Sequence, residues 1–160
     1  MDSVVEIIKT AITNEVRAKT FYARAADIAQ DGEAQMVFIE LIEMEDQHAR
    51  RLVDGFGAVL ADAGVDGEAF LETLTADVEK TLETAQVKLL EDAELRPVID
   101  FAIGMEKKAR DTYLSLKNDV RGAALKTLCQ DLADEEQRHS DQLTEARIGV
   151  DTPPEERPML

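Results

Sequence analysis

The chain holds only two histidines, His48 and His139, and both close a Glu-x-x-His motif. In Glu45-Asp46-Gln47-His48 and Glu136-Gln137-Arg138-His139, the carboxylate and the imidazole lie three residues apart. On a helix that spacing puts both side chains on one face, one turn apart. Each motif glutamate follows another glutamate by 30 residues: Glu15 precedes Glu45, and Glu106 precedes Glu136. Seven residues beyond those earlier glutamates stand the only two tyrosines, Tyr22 and Tyr113. A donor set of carboxylates and imidazoles suits iron or manganese, with zinc as a substitute. One Glu-x-x-His in an acidic chain is a weak signal. Two of them, using every histidine in matched surroundings, form a specific one.

The match is an internal repeat. A shift of 91 residues pairs Ile8 with Ile99, Ala11 with Ala102, Ile12 with Ile103, Glu15 with Glu106, Ala18 with Ala109 and Tyr22 with Tyr113. The same shift pairs Leu41 with Leu132, Glu45 with Glu136, His48 with His139 and Leu52 with Leu143. A packed core accounts for the matched Leu and Ile. It does not account for matched Glu, Tyr and His, because burying an ionised carboxylate without a partner costs several kcal/mol or more. Lys19 and Arg110 lie one position off the stripe and can at most reach around it. Two divalent cations would balance four glutamates, with two carboxylates bridging and each metal keeping a terminal Glu, a His and open positions.

The elements that must carry these residues read as helices. From Ser3 to Ala29, Ile8, Ala11, Ile12, Glu15, Ala18, Tyr22, Ala25 and Ala29 recur at three- and four-residue steps, along one face. Ser3-Val4-Val5-Glu6 has the form of a capping box. Asp31-Gly32 breaks the pattern and can cap a second helix from about Glu33 to Ala61, with Val37, Leu41, Glu45, His48, Leu52 and Val59 inward. Residues 63–95 read as a long crossover with one or two shorter helices. Pro97 fits the first turn of a third helix from near Arg96 to Asn118-Asp119. A fourth runs from about Arg121 to Ile148. The result is an all-α domain over residues 1–150, two helical hairpins joined by a crossover, with a flexible Pro-rich tail over 151–160.

Hairpin geometry then places the site. Glu15 and Glu45 are equidistant from residue 30, and Glu106 and Glu136 from residue 121. Equal distance from a turn means equal height in an antiparallel pair, here roughly 22 Å at 1.5 Å per residue. A crossover that runs the length of the bundle relates the hairpins by a pseudo-twofold axis and brings all four carboxylates to one level. Ala18 and Ala109, one turn away, can leave room for a small oxidant or simply allow close helix packing. Tyr22 and Tyr113 can donate to a ligand carboxylate of the other hairpin, act as transient electron donors, or serve as core tyrosines with satisfied hydroxyls. Cys129 reads as a small buried core residue.

Composition excludes several alternatives. The 160 residues carry 18 Lys and Arg against 34 Asp and Glu, a net charge of −16. Such a chain is unsuited to nucleic acid, whose binding rests on Lys and Arg. No apolar run approaches the ~18 residues of a membrane span. Met1-Asp2-Ser3 lacks the basic, then apolar, start of a secretory signal. A single cysteine allows no intrachain disulfide and no four-cysteine metal module. A cytoplasmic setting is the expectation.

Glu15 with Tyr22, Glu45-Asp46-Gln47-His48, Glu106 with Tyr113 and Glu136-Gln137-Arg138-His139 together resemble the ferritin-like superfamily, and most the rubrerythrin-type proteins. The resemblance spans about residues 3–148. It implies a ferritin-like four-helix bundle holding two iron ions through Glu15, Glu45, His48, Glu106, Glu136 and His139, with chemistry on hydrogen peroxide or dioxygen. Related bundles commonly dimerise, so a homodimer is expected. The chain departs from the pattern in three places. The rubredoxin-type iron site of four cysteines is missing, so electrons must come from an external donor. The additional glutamate on the third helix is missing too, since Ala102, Ile103, Ala109 and Arg110 flank Glu106. That moves the ligand set toward bacterioferritin, yet Asp46 stands where bacterioferritin has its haem-binding Met, so no haem is expected. The tail does not resemble the fifth helix of a ferritin cage. Three functions compete: a peroxidase or ferroxidase, an iron-buffering protein without turnover, and a structural module that keeps the metal for stability.

Overall fold

The computed structural model describes residues 3–30, 32–77, 82–151 and 154–156. Four long helices dominate: α1 (Val4–Ala29), α2 (Gly32–Gly55), α6 (Leu95–Asp119) and α7 (Ala123–Asp151). Three short ones, α3 (Gly57–Asp62), α4 (Gly67–Ala76) and α5 (Thr84–Asp92), occupy the connection between the hairpins. No strand occurs among the described residues. The chain is an all-α, ferritin-like bundle.

Local chemistry accounts for the boundaries. Ser3 caps α1, its hydroxyl accepting from the Glu6 amide at 3.2 Å. The Glu6 carboxylate lies 3.7 Å from the Lys9 ammonium, so the cap is observed as the Ser3 bond. The chain reverses after α1 through Gln30 (φ 57°) and Gly32 (φ 82°), where glycine meets no steric penalty. Asp31, the expected cap, lies outside the described residues. Gly122 (φ 94°) makes the corresponding turn before α7. A third helix starting beside Pro97 is borne out, Pro97 standing in the first turn of α6, where no intrahelical donor is needed.

The second helix departs from its expected span. It stops at Gly55 and resumes at Gly57 as α3, with Phe56 (φ −100°, ψ 10°) between them. A Cβ at Gly55 would run into the Leu128 side chain of α7, so glycine permits the close approach there. Backbone bonds from Phe56 to Leu52 and from Leu60 to Phe56 carry the helical path across the break, and Phe56 and Leu60 are fully buried while Val59 is half-buried. At the other end of the chain α7 continues past Ile148 to Asp151, whose carboxylate lies 3.6 Å from Arg96. Of the Pro-rich tail, Pro154–Glu156 forms a 3-10 turn, and residues 152, 153 and 157–160 lie outside the described residues.

The core is two apolar clusters rather than one. The first gathers Ile8, Ile12, Leu52, Phe56, Leu116 and Leu132, among others. The second gathers Phe21, Phe38, Leu41, Val98, Ile99 and Leu143, among others. Repeat partners fall on opposite sides: Ile8 belongs to one cluster and Ile99 to the other, as do Leu132 and Leu41, and Leu52 and Leu143. The pseudo-twofold axis therefore crosses the bundle at mid-height and exchanges the clusters. The crossover helices respect this division, with Leu71 of α4 packing on the first cluster and Leu90 of α5 on the second.

Two repeat positions depart from the inward stripe. Ile103 and Ala109 of α6 are half-buried, whereas their partners Ile12 and Ala18 of α1 are buried. Both α4 and α5 pack on α1; α4 packs on α2 as well, and α5 on α6. The crossover covers one hairpin more fully than the other.

Candidate metal centre

Between the two clusters lies a polar layer. Glu15 on α1, Glu45 and His48 on α2, Glu106 on α6, and Glu136 and His139 on α7 all point into it, each no more than 3% exposed. Nδ1 of His48 stands 2.8 Å from Glu136 Oε1, 3.5 Å from Glu15 Oε2 and 3.7 Å from Glu45 Oε2. Nδ1 of His139 stands 3.1 Å from Glu45 Oε1, 3.3 Å from Glu136 Oε2 and 3.6 Å from Glu106 Oε2. The two imidazoles face each other nearly parallel, with ring centroids 5.4 Å apart.

Two groups of donors emerge from these distances. Glu15, Glu45, His48 and Glu136 bring one ligand atom each within 4.8 Å of the others, and so do Glu45, Glu106, Glu136 and His139. Glu45 and Glu136 belong to both groups. These two can bridge, and Glu15 and Glu106 are each left to one side. Sequence alone could not say which pair would be shared.

A cation fits this layer on hydrogen-bonding grounds. Glu15 Oε2, Glu45 Oε1, Glu136 Oε2 and His139 Nδ1 are buried and lack hydrogen-bond partners. Buried polar atoms of folded proteins are almost always partnered. A divalent cation would satisfy four such atoms converging on one place. Basic side chains do not fill the role. Lys19 pairs with Asp46 at 2.9 Å, and Arg110 donates to Gln137 at the repeat-related position.

Burial and mutual contact shift all six donors of the layer. Burial opposes ionisation of Glu15, but bonds with Glu45, His48 and Tyr113 outweigh it and bring its carboxyl down to about 2. Glu106 is likewise lowered against burial, by Glu136, His139 and Tyr22. Burial, reinforced by the neighbouring carboxylates, raises Glu45 and Glu136 well above the usual range. Burial also works against charge on the imidazoles, but the surrounding carboxylates prevail: His48 is raised strongly and His139 to about 12. The imidazoles and the two shareable glutamates are thus shifted toward their protonated forms, and Glu15 and Glu106 toward their ionised forms.

The tyrosines tie the hairpins together. Tyr22 on α1 donates its hydroxyl to Glu106 Oε1 on α6, and Tyr113 on α6 donates to Glu15 Oε1 on α1. Both phenols are buried, and burial together with the adjacent carboxylates raises them far above their ordinary value, so they remain donors. Tyr22 stacks on Phe38 at 5.9 Å, whereas Cys129 occupies the matching place in the other half, a free thiol with no exposure.

Two openings reach the layer. One, of about 470 Å³, lies between α1 and α6 and is lined by Glu15, Glu45 and Glu106 with Ala18 and Ala109. The other, of about 660 Å³, lies beneath α4 and reaches Glu15 and Glu45 past Asp46, Glu68 and Glu72.

One neighbour of the layer was not identified from sequence. Glu135 Oε2 lies 3.6 Å from Nε2 of His48 and accepts a hydrogen bond from Arg51. In the sequence Glu135 lies four residues before His139, where the other half has Met44 before His48, so the repeat does not mark it. Its approach to His48 depends on the packing of α2 against α7, which spacing within α7 does not reveal.

Fold and site together define a ferritin-like four-helix bundle with a buried carboxylate–histidine layer suited to a di-metal centre. The family model for rubrerythrin matches residues 6–147, so the chain belongs to the rubrerythrin family. Comparison with curated proteins and with solved structures returned no match. Among the described residues no helix is long and apolar enough to cross a membrane.

Proposed function

We propose that this chain is a di-iron carboxylate protein that reacts with hydrogen peroxide or dioxygen, in oxidative-stress defence or iron handling. The observation that carries this reading is the sharing of Glu45 and Glu136 between two overlapping donor groups. Glu15 with His48 would complete one metal position and Glu106 with His139 the other. When bound, an iron pair supplies two electrons, Fe(II) passing to Fe(III), so that hydrogen peroxide and two protons become two waters.

The protein's own part is to bind, orient and exclude. Tyr22 and Tyr113 fix the rotamers of Glu106 and Glu15 by hydrogen bonding to them. Apolar clusters close the layer above and below, so that access is from the sides. Ala18 and Ala109 leave the opening between α1 and α6 wide enough for a two-oxygen molecule. The single cysteine of this bundle is buried and cannot form a rubredoxin-type site, so the electrons have to reach the layer from outside the bundle.

The test is anaerobic loading of metal-free protein with Fe(II), followed by mixing with peroxide or with dioxygen while absorbance is recorded. Fast oxidation, faster with peroxide and repeatable after re-reduction, supports a peroxidase. Oxidation no faster than that of free iron would replace this reading with an iron-buffering one.

A further inference from the structure

The two halves of the layer obey the repeat in all six donors but differ just outside them. Glu135 lies against His48, with Oε2 3.6 Å from Nε2, and Arg51 holds the same carboxylate oxygen. Under the 91-residue shift, Glu135 corresponds to Met44 and Arg51 to Gln142. The second half therefore has neither the carboxylate nor the guanidinium at the matching positions.

His48 has a specific need for that carboxylate. Its ring is fully buried, and its Nε2 has no hydrogen-bond partner. Its Nδ1 is the nitrogen that faces Glu15, Glu45 and Glu136. A cation bound at Nδ1 leaves the one remaining ring proton on Nε2, and a buried N–H with no acceptor is costly. Closing the gap to Glu135 by about half an ångström makes an ordinary charge-assisted hydrogen bond. Such a bond fixes the tautomer and ring orientation and makes the metal-binding nitrogen a stronger donor. Arg51 keeps the Glu135 carboxylate aimed at the ring while matching its charge.

We propose that Glu135, held by Arg51, is a positioning residue for His48 and makes the Glu15–His48 metal position tighter than the Glu106–His139 position, so that the two fill in order. This rests on the di-metal reading above, but it concerns the inequality of the two positions rather than their existence.

The test is titration of metal-free protein with Zn(II), in competition with a chromophoric chelator. The wild type should bind two ions in separate steps, the first at least about tenfold tighter. Glu135→Met, which copies the other half, should weaken the first step by about 10- to 100-fold and leave the second unchanged. Met44→Glu should tighten the second step. Nitrogen-15 NMR of the Zn(II)-loaded wild type should show a slowly exchanging Nε2–H on His48, lost in Glu135→Met while the His139 signals stay in place. A purely structural role for Glu135 would instead shift both steps and both histidines. Two ions bound with equal affinity in the wild type, or both steps weakened equally in Glu135→Met, would overturn the inference and leave the di-metal reading standing. Failure to bind two ions at all would remove both.

Discussion

Tyr113 donates its hydroxyl to Glu15 across the bundle, from the second hairpin to the first. The repeat returns the bond from Tyr22 to Glu106, so each hairpin holds an ionised glutamate of the other. Removing either phenol should leave a buried carboxylate short of a donor. Tyr113→Phe and Tyr22→Phe are each expected to destabilise the metal-free protein by about 1.5–3 kcal/mol, the range for hydrogen bonds to charged groups. Urea unfolding in the presence of a chelator measures this.

Shared and unshared carboxylates should respond differently to mutation. Glu45 and Glu136 each belong to both donor groups, whereas Glu15 and Glu106 belong to one each. Glu45→Ala or Glu136→Ala should therefore abolish tight binding of both ions. Glu15→Ala or Glu106→Ala should leave one. Equilibrium dialysis with elemental analysis of the retained metal separates the two patterns.

Proton release should accompany loading. His48, His139, Glu45 and Glu136 are each shifted toward the protonated form in the folded protein. Divalent ions should therefore displace protons from the layer, and affinity should rise with pH. Calorimetry in buffers of different ionisation enthalpy counts the protons directly.

The same shifts set the pH dependence of metal-free stability. A histidine raised from 6.5 in the folded state stabilises fully below 6.5, and that contribution is lost as pH rises toward its folded value, about 12 for His139. Raised Glu45 and Glu136 act in the same direction above 4.5. Lowered Glu15 and Glu106 act oppositely, but only as pH falls below 4.5, toward about 2 for Glu15. Metal-free protein should thus melt at a lower temperature at pH 9 than at pH 6. Saturating metal should flatten or reverse the trend, as ligand binding to the folded state grows. Circular dichroism melts at the two pH values, with and without chelator, check the sign.

The opening between α1 and α6 can be narrowed without touching a donor. Ala109 is half-buried at its wall, and Ala109→Leu should fill part of the roughly 470 Å³ space. Fe(II) stoichiometry should be unchanged, while stopped-flow oxidation by peroxide slows at least about tenfold, a barrier increase near 1.4 kcal/mol.

Much of the bundle was legible because its two halves report on one another. Periodicity located the four long helices, and the match of Glu15 with Glu106 and His48 with His139 pointed to one level of the bundle. Ser3 announced its helix start through a local bond, which spacing can reveal. The interruption at Phe56 was hidden because apolar residues keep a helical rhythm through Val59, and the close approach of Gly55 to Leu128 involves a distant helix. Partial exposure of Ile103 and Ala109 was hidden for a similar reason, since it depends on how far the crossover wraps. Glu135 and Arg51 break the repeat, so symmetry, the most informative feature of the sequence, passed over them.

Anomalous diffraction at the iron edge, from crystals of protein loaded anaerobically with Fe(II), tests the central claim most directly. Two strong peaks should appear in the layer between the apolar clusters, one beside Nδ1 of His48 and one beside Nδ1 of His139, with Glu45 and Glu136 reaching both. A single peak, peaks confined to the acidic surface, or an empty layer in fully loaded protein would contradict the di-metal centre.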